Sequence, residues 1–166
     1  QSQPVLIRFV TDELGVIVNS EQNSVDFINI TPSGITMSGQ SVQITQDADA
    51  DASSIDVSVD ESILAVVVSK GACLRGELYL INTSTLQKYG PYELGFNPDA
   101  VDIAVDNKFV VVVNEFDYED GVDGGCQTLG FPGVSVYDIS AGIDKAALVK
   151  DMKISHTGSN LSLIHI

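Results

Sequence analysis

Positive charge is scarce in this sequence, with 8 Lys plus Arg against 23 Asp plus Glu and a formal net charge of −15 over 166 residues. A nucleic-acid partner is excluded on that ground, because phosphate backbones are held chiefly by Lys and Arg. An anionic membrane surface is disfavoured for the same reason. A cationic ligand, a divalent metal or a high-salt medium suits the balance better. Apolar runs are short, none approaching the roughly 18 residues of a membrane-spanning helix, so no membrane insertion is expected in this segment. Histidine occurs twice, at His156 and His165. No zinc-ligand spacing, G-x-S-x-G elbow or phosphate-cradling glycine loop is present. Carboxylates are plentiful, yet none stands at a recognisable spacing from a base or nucleophile, so no catalytic residue is assigned. Two cysteines, Cys73 and Cys126, leave the redox compartment undecided by count. No initiating Met or basic leader opens the chain, which reads as part of a longer polypeptide.

What is abundant is apolar and β-branched. A hydrophobic content of 44% supports one domain with a real core. The hydrophobic period is two almost throughout, and turn residues arrive every eight to twelve positions, which predicts an all-β chain. Self-similarity sets the architecture. "SIDVSVDESILAVVVS" (54–69) superimposes on "AVDIAVDNKFVVVVNE" (100–115), with Asp56 over Asp102 and Asp60 over Asp106, an offset of 46. A weaker copy, "RFVTDELGVIVNS" (8–20), puts Asp12 in the role of Asp60 at an offset of 48. Each copy precedes a further strand: "SVDFINIT" (24–31), "GELYLINTS" (76–84) and "GVSVYDIS" (133–140).

A period near 46 with four short strands per unit is the pattern of a β-propeller blade. We expect a partial propeller over residues 1–160, with four-stranded blades at about 4–45, 55–94 and 100–154. Within each, an Asp caps the first turn, while Asn29, Asn82 and Asp138 form the turn after the third strand. Propellers carry about four to eight blades, so three are expected to belong to a larger ring, of about seven, whose remaining blades lie in the same polypeptide. Alone, the three are expected to be marginal.

The order "VNSEQNSVDFINIT", "IDVSVDESILAVVVS", "GELYLINT", "LGFNPDAVDIAVDNKFVVVVNEFDYEDG", "PGVSVYDIS" resembles the choice-of-anchor I family over most of residues 5–154. That resemblance implies a secreted or surface-attached protein on a YVTN-like, WD40-like propeller, similar to the mesenchyme-specific cell surface glycoproteins. Its most specific part is the third unit. A Pro-Asp pair, Pro98-Asp99, precedes the first strand, and Asn114-Glu115 ends the second and opens an acidic insert. The insert departs from the family: Phe116-Asp117-Tyr118 replaces the usual Gly-Glu-Pro. The family implies no single activity. The terminal "LSLIHI" (161–166) resembles the translation of a sequencing adapter and is set aside as a non-native tail, so His165 carries no functional weight.

In such a blade the link between the second and third strands shares a face with the blade-to-blade link. Glu21, Asp47, Asp49, Asp51, Asp99, Glu115, Asp117, Glu119, Asp120 and Asp123 therefore fall on one face, against only Lys70 and Arg75. A cation would relieve that repulsion, and calcium, which takes six to eight oxygens from flexible loops, is the natural candidate cofactor. Two loops compete for it. "DADADAS" sets Asp47, Asp49 and Asp51 at calcium-loop spacing, but Ala52 stands where the sharp-turn Gly belongs. The insert carries Glu115, Asp117, Glu119, Asp120 and Asp123, with Gly121, Gly124 and Gly125 allowing the backbone to fold back on its acids. The other reading of both is a solvated connection. Asn114, Asp99 and Glu21 complete the candidate binding face. Cys73 and Cys126 fall in equivalent loops of adjacent blades, where a disulfide would bridge them in an oxidising compartment, two free thiols being the alternative. Asp56 and Asp102, on the first strands, either look into a central channel or simply alternate with apolar neighbours.

These features predict an extracellular or cell-surface propeller acting as a scaffold or binding module for a protein, a glycan or a cation. The alternatives are the non-catalytic propeller part of a secreted phosphoesterase-type hydrolase, or a calcium-dependent esterase or phosphatase.

Overall fold

The computed structural model describes residues 4–71, 74–115 and 132–154. Among these residues twelve strands form three four-stranded sheets, each meandering in chain order with antiparallel neighbours. Sheet one holds β1 (Pro4–Phe9), β2 (Leu14–Asn19), β3 (Ser24–Thr31) and β4 (Gly34–Gln43). Sheet two holds β5 (Asp51–Val57), β6 (Ile63–Ser69), β7 (Arg75–Asn82) and β8 (Lys88–Phe96). Sheet three holds β9 (Pro98–Ile103), β10 (Phe109–Asn114), β11 (Gly133–Asp138) and β12 (Ala147–Lys153). A single 3-10 turn, Ile143–Lys145, is the one helical element among the described residues. No helix there is long and apolar enough to cross a membrane.

Sheet two lies between the other two, and burial follows from that position. Leu64, Val66, Val68, Tyr79 and Ile81 meet Val16, Val18, Val25 and Phe27 of sheet one in one core. The opposite face of sheet two, with Ala65, Val67, Leu78 and Leu80, meets Val101, Ile103, Val110, Val112 and Tyr137 of sheet three in a second core. The run Leu64–Val68 is therefore wholly buried on both faces, as a continuous apolar strand must be. The similar run in β10 buries Val110 and Val112 but leaves Val113 37% exposed, because sheet three is covered on one side only.

The first turns of the three sheets have the same closing bond: Val10 N donates to Leu14 O, Ser58 N to Ile63 O, and Ala104 N to Phe109 O. In sheets two and three the expected aspartates cap them. Asp60 Oδ1 accepts from the Ser62 amide at 3.2 Å and from two serine hydroxyls, which hold its carboxyl below the usual range. Asp106 Oδ1 accepts from the Lys108 amide. In sheet one the turn is a residue shorter, and Thr11 rather than Asp12 takes the role, its Oγ1 accepting from the amides of Glu13 and Leu14. Asn82 and Asp138 form turns as expected, by accepting from the amides two residues on. Asn29 does not. It pairs within the sheet with Leu14 and Thr36, and the turn passes to Thr31, whose hydroxyl donates to Gly34 O.

One strand start also differs from the sequence reading. The acidic stretch 46–54 was expected as a link, yet β5 begins at Asp51. Its backbone pairs with β6 from Asp51 opposite Ser69 onward, while Ser53 Oγ donates to Pro98 O at 2.7 Å and Ser54 Oγ accepts from the Val101 amide of sheet three. The polar side chains of this strand fasten it to sheet three, so the start of the strand carries no apolar alternation for the sequence to show.

Candidate functional site

The acidic face is assembled by contacts between neighbouring loops. The Ile44 amide donates to Asn23 O, and Asn23 Nδ2 reaches Asp47 O at 2.9 Å. Further along, Ser69 Oγ meets Asn97 Oδ1 at 2.9 Å and the Glu115 amide donates to Asn97 O. Loops 20–23, 44–50 and 69–71, Asn97 and Glu115 thus share one end of the sheets. Glu21, Asp47, Asp49, Asp51 and Asp99 are exposed there, and Glu115 is half-buried.

The described carboxylates of this face are not gathered around a point. Asp47 Oδ1 accepts from the Asp49 amide at 3.1 Å, a local turn that holds the first carboxylate against its own backbone. Among the described residues no three Asp, Glu, His or Cys side chains come together as a metal-binding group. Asp117, Glu119, Asp120 and Asp123 of the insert, together with Cys73 and Cys126, lie outside the described residues.

The two cations expected to balance this face are both engaged within sheet two. Lys70 Nζ pairs with Glu77, whose other oxygen accepts from the Tyr79 hydroxyl at 2.7 Å. Burial, with Glu77 beside it, pushes the Tyr79 phenol up. Arg75 meets Glu93 at 3.1 Å, donates to Leu94 O and lies over the Phe96 ring.

Asn114 and Pro98, singled out as parts of a motif, are packed between sheets. Asn114 is 2% exposed, donates from Nδ2 to Ser135 Oγ at 3.0 Å and lies against Gly95, where an added Cβ would stand 2.5 Å from its Cγ. Its Oδ1 has no hydrogen-bond partner. It borders a cavity of about 130 Å³ shared with Arg75, Phe96, Asp151 and Lys153. Pro98 is buried against Gly76, a glycine required because a Cβ there would sit 2.2 Å from the proline ring.

Two inter-sheet devices were not foreseen in the sequence. At the outer strands, Tyr137 donates to Glu93 O and Tyr92 to Ile143 O, with the two rings 5.7 Å apart. Burial raises the Tyr137 phenol from 10.0 to about 12. At the first strands, Asp56 Oδ2 accepts the Ile103 amide at 2.9 Å, and its Oδ1 lies 3.9 Å from Arg8 Nε. Asp56 therefore spans from sheet one to sheet three. The recurrence of Asp56 as Asp102 was the available signal, but alternation accounted for it equally well.

Comparison with known proteins places this geometry. Solved structures similar to the chain include a putative 6-phosphogluconolactonase from Bacteroides fragilis, with TM-score 0.70 and 15% identity over 92% of this chain and 40% of that one. The periplasmic gluconolactonase of Pseudomonas aeruginosa gives 0.65 and 13%, over 92% and 40%. The Dos1 propeller gives 0.51 and 6%, over 92% and 48%. At such identities the likeness is one of fold: the three sheets are blades of a β-propeller, and the chain spans two fifths to a half of the length of these structures. No protein of curated function matches the sequence. The family model of the choice-of-anchor I domain matches residues 7–161, and the chain belongs to that family.

Proposed function

We propose that this chain is part of an extracellular or cell-surface propeller that works as a binding scaffold, its ligand being met at the acidic loop end. The observation that carries the reading is the one-sided charge of that end. Glu21, Asp47, Asp49, Asp51 and Asp99 are exposed on it, while Lys70 and Arg75 are turned onto Glu77 and Glu93. Carboxylates in this arrangement attract a basic protein surface, or a divalent cation that in turn bridges to a glycan or protein. The family name supports a surface location. Calcium belongs to this reading through the insert acids Asp117, Glu119, Asp120 and Asp123.

The test uses the complete polypeptide that carries these residues. Calcium is titrated at constant ionic strength by calorimetry, and hydrolysis of generic phosphoesters and sugar lactones is assayed in parallel. Saturable calcium uptake, lost in Asp117→Asn/Asp120→Asn, with no turnover, is the expected result. Robust turnover that depends on Asp117 and Asp120 would overturn the scaffold reading in favour of a hydrolase.

A further inference from the structure

We propose that the cavity between sheets two and three, at their loop end, is a subsite for one neutral sugar ring, the terminal residue of a glycan. Four strand ends build it. Arg75 opens β7 and Phe96 closes β8, while Asn114 closes β10 and Asp151, Met152 and Lys153 close β12. Asn114 lies deep, 2% exposed, whereas Arg75, Asp151 and Lys153 are exposed at the rim. The space is about 130 Å³. That is room for several waters, yet well under the roughly 300–1,000 Å³ of a site enclosing a drug-sized ligand. It suits a single ring entering by one edge, with the rest of the glycan left in solvent.

The donors and acceptors select the chemistry. Asn114 Nδ2 donates to Ser135 Oγ at 3.0 Å, but its Oδ1 has no hydrogen-bond partner among the described residues. A buried polar atom left so is costly, and native proteins rarely keep one without a water or a ligand. A hydroxyl both donates and accepts, so it can meet either end of that amide. Charge on the rim is already matched. Arg75 is held by Glu93 at 3.1 Å, and Asp151 and Lys153, of opposite sign, stand two residues apart on β12. An anion would meet Asp151, and a cation would meet Arg75 and Lys153, so a ligand of either sign is repelled by part of the rim. A polyhydroxy ring avoids this. Its hydroxyls can accept from Arg75 and Lys153 and donate to Asp151 and Asn114 Oδ1, with Phe96 and Met152 beside its C–H faces. The exposed acids Glu21, Asp47, Asp49, Asp51 and Asp99 do not line the cavity, so this site goes beyond the calcium reading and does not depend on it.

The experiment follows the side-chain amide signals of the complete polypeptide, with isotope-labelled asparagine, by NMR. Glucose, galactose, mannose and N-acetylglucosamine are added in turn, with glycine as a zwitterionic control, and the series is repeated in chelator. A saturable shift of the Asn114 signal by at least one sugar is expected, unchanged by chelator. Asp151→Ala and Lys153→Met should each weaken that binding severalfold, whereas Lys108→Met, in a turn at the opposite end of the sheets, should not. Unmoved signals from the other asparagines report that the variants fold. An Asn114 signal that no sugar moves would overturn the proposal and leave the cavity to water. A shift that either rim variant leaves unweakened would overturn it as well, as would one produced by glycine alone. Binding lost in chelator would also overturn it, by assigning the sugar to a cation at the acidic loop end.

Discussion

The carboxylate of Asp56 and the main-chain amide of Ile103 meet at 2.9 Å across the junction between sheets two and three. Because the Asp56 side chain is 21% exposed, the bond is partly shielded from water. A charged acceptor on an amide is worth about 1.5–3 kcal/mol when shielded, and less as solvent reaches it. Asp56→Ala should therefore lower stability by about 1–2 kcal/mol, and Asp56→Asn by less. Denaturant unfolding measures both. Equal losses would show that charge, not the acceptor oxygen, is what matters there.

Glycine stands at two close approaches between sheets two and three, Gly76 against Pro98 and Gly95 against Asn114. A Cβ on Gly76 would stand 2.2 Å from Pro98 Cγ and 2.6 Å from Val68 O. Gly76→Ala cannot be accommodated by a side-chain rotation, since one obstacle is backbone and the other a ring. A cost of at least about 1–3 kcal/mol is expected, the usual range for overpacking. Thermal unfolding of the variant tests this, and an unchanged midpoint would mean that the junction is looser than described.

Alkaline stability should depend on Tyr137. Burial raises its phenol from 10.0 to about 12. A folded-state value above the unfolded one means that the native protein binds the proton more tightly. The stabilisation is then present below pH 10 and is lost as pH rises from 10 towards 12. Tyr137→Phe should flatten that part of the stability profile while costing the bond to Glu93 O at neutral pH. Tyrosinate absorbance followed against pH in both proteins gives the comparison.

Salt should stabilise the chain. With a net charge of −15, self-repulsion opposes compaction, and added ions screen it. The unfolding midpoint should rise steadily between low and moderate sodium chloride. The screened ion pairs Arg75–Glu93 and Lys108–Asp106 oppose this only weakly, being exposed. A midpoint that falls with salt would show that ion pairs outweigh repulsion.

The repeat made the architecture legible: two aligned strands with the same Asp spacing are enough to count blades. What escaped was chemistry between repeats. Asp56 and Ser54 face a neighbouring sheet through bonds to backbone, and a backbone amide has no identity in a sequence for a motif to match. The Thr11 cap escaped because the first copy is one residue shorter, which displaced Asp12 from the role its repeat partners keep. The acidic loop end was foreseen as a face. The convergence of its acids was not decidable, because spacing along a loop does not fix where carboxylates point.

The junctions between sheets differ in slack. Sheet one reaches sheet two through residues 44–50, whereas sheet two reaches sheet three through Asn97 alone, in a left-handed backbone conformation with φ of 44°. Protein engineers and evolution meet the same rule here. Added length is expected to be borne better by the first connector than by the second, which has none to spare, although even the first is pinned by the buried Ile44 and Ala50 and by the bond from Asn23 Nδ2 to Asp47 O. Changes in loop length should therefore be commoner between residues 44 and 50 than at 97, where a single residue joins two strands.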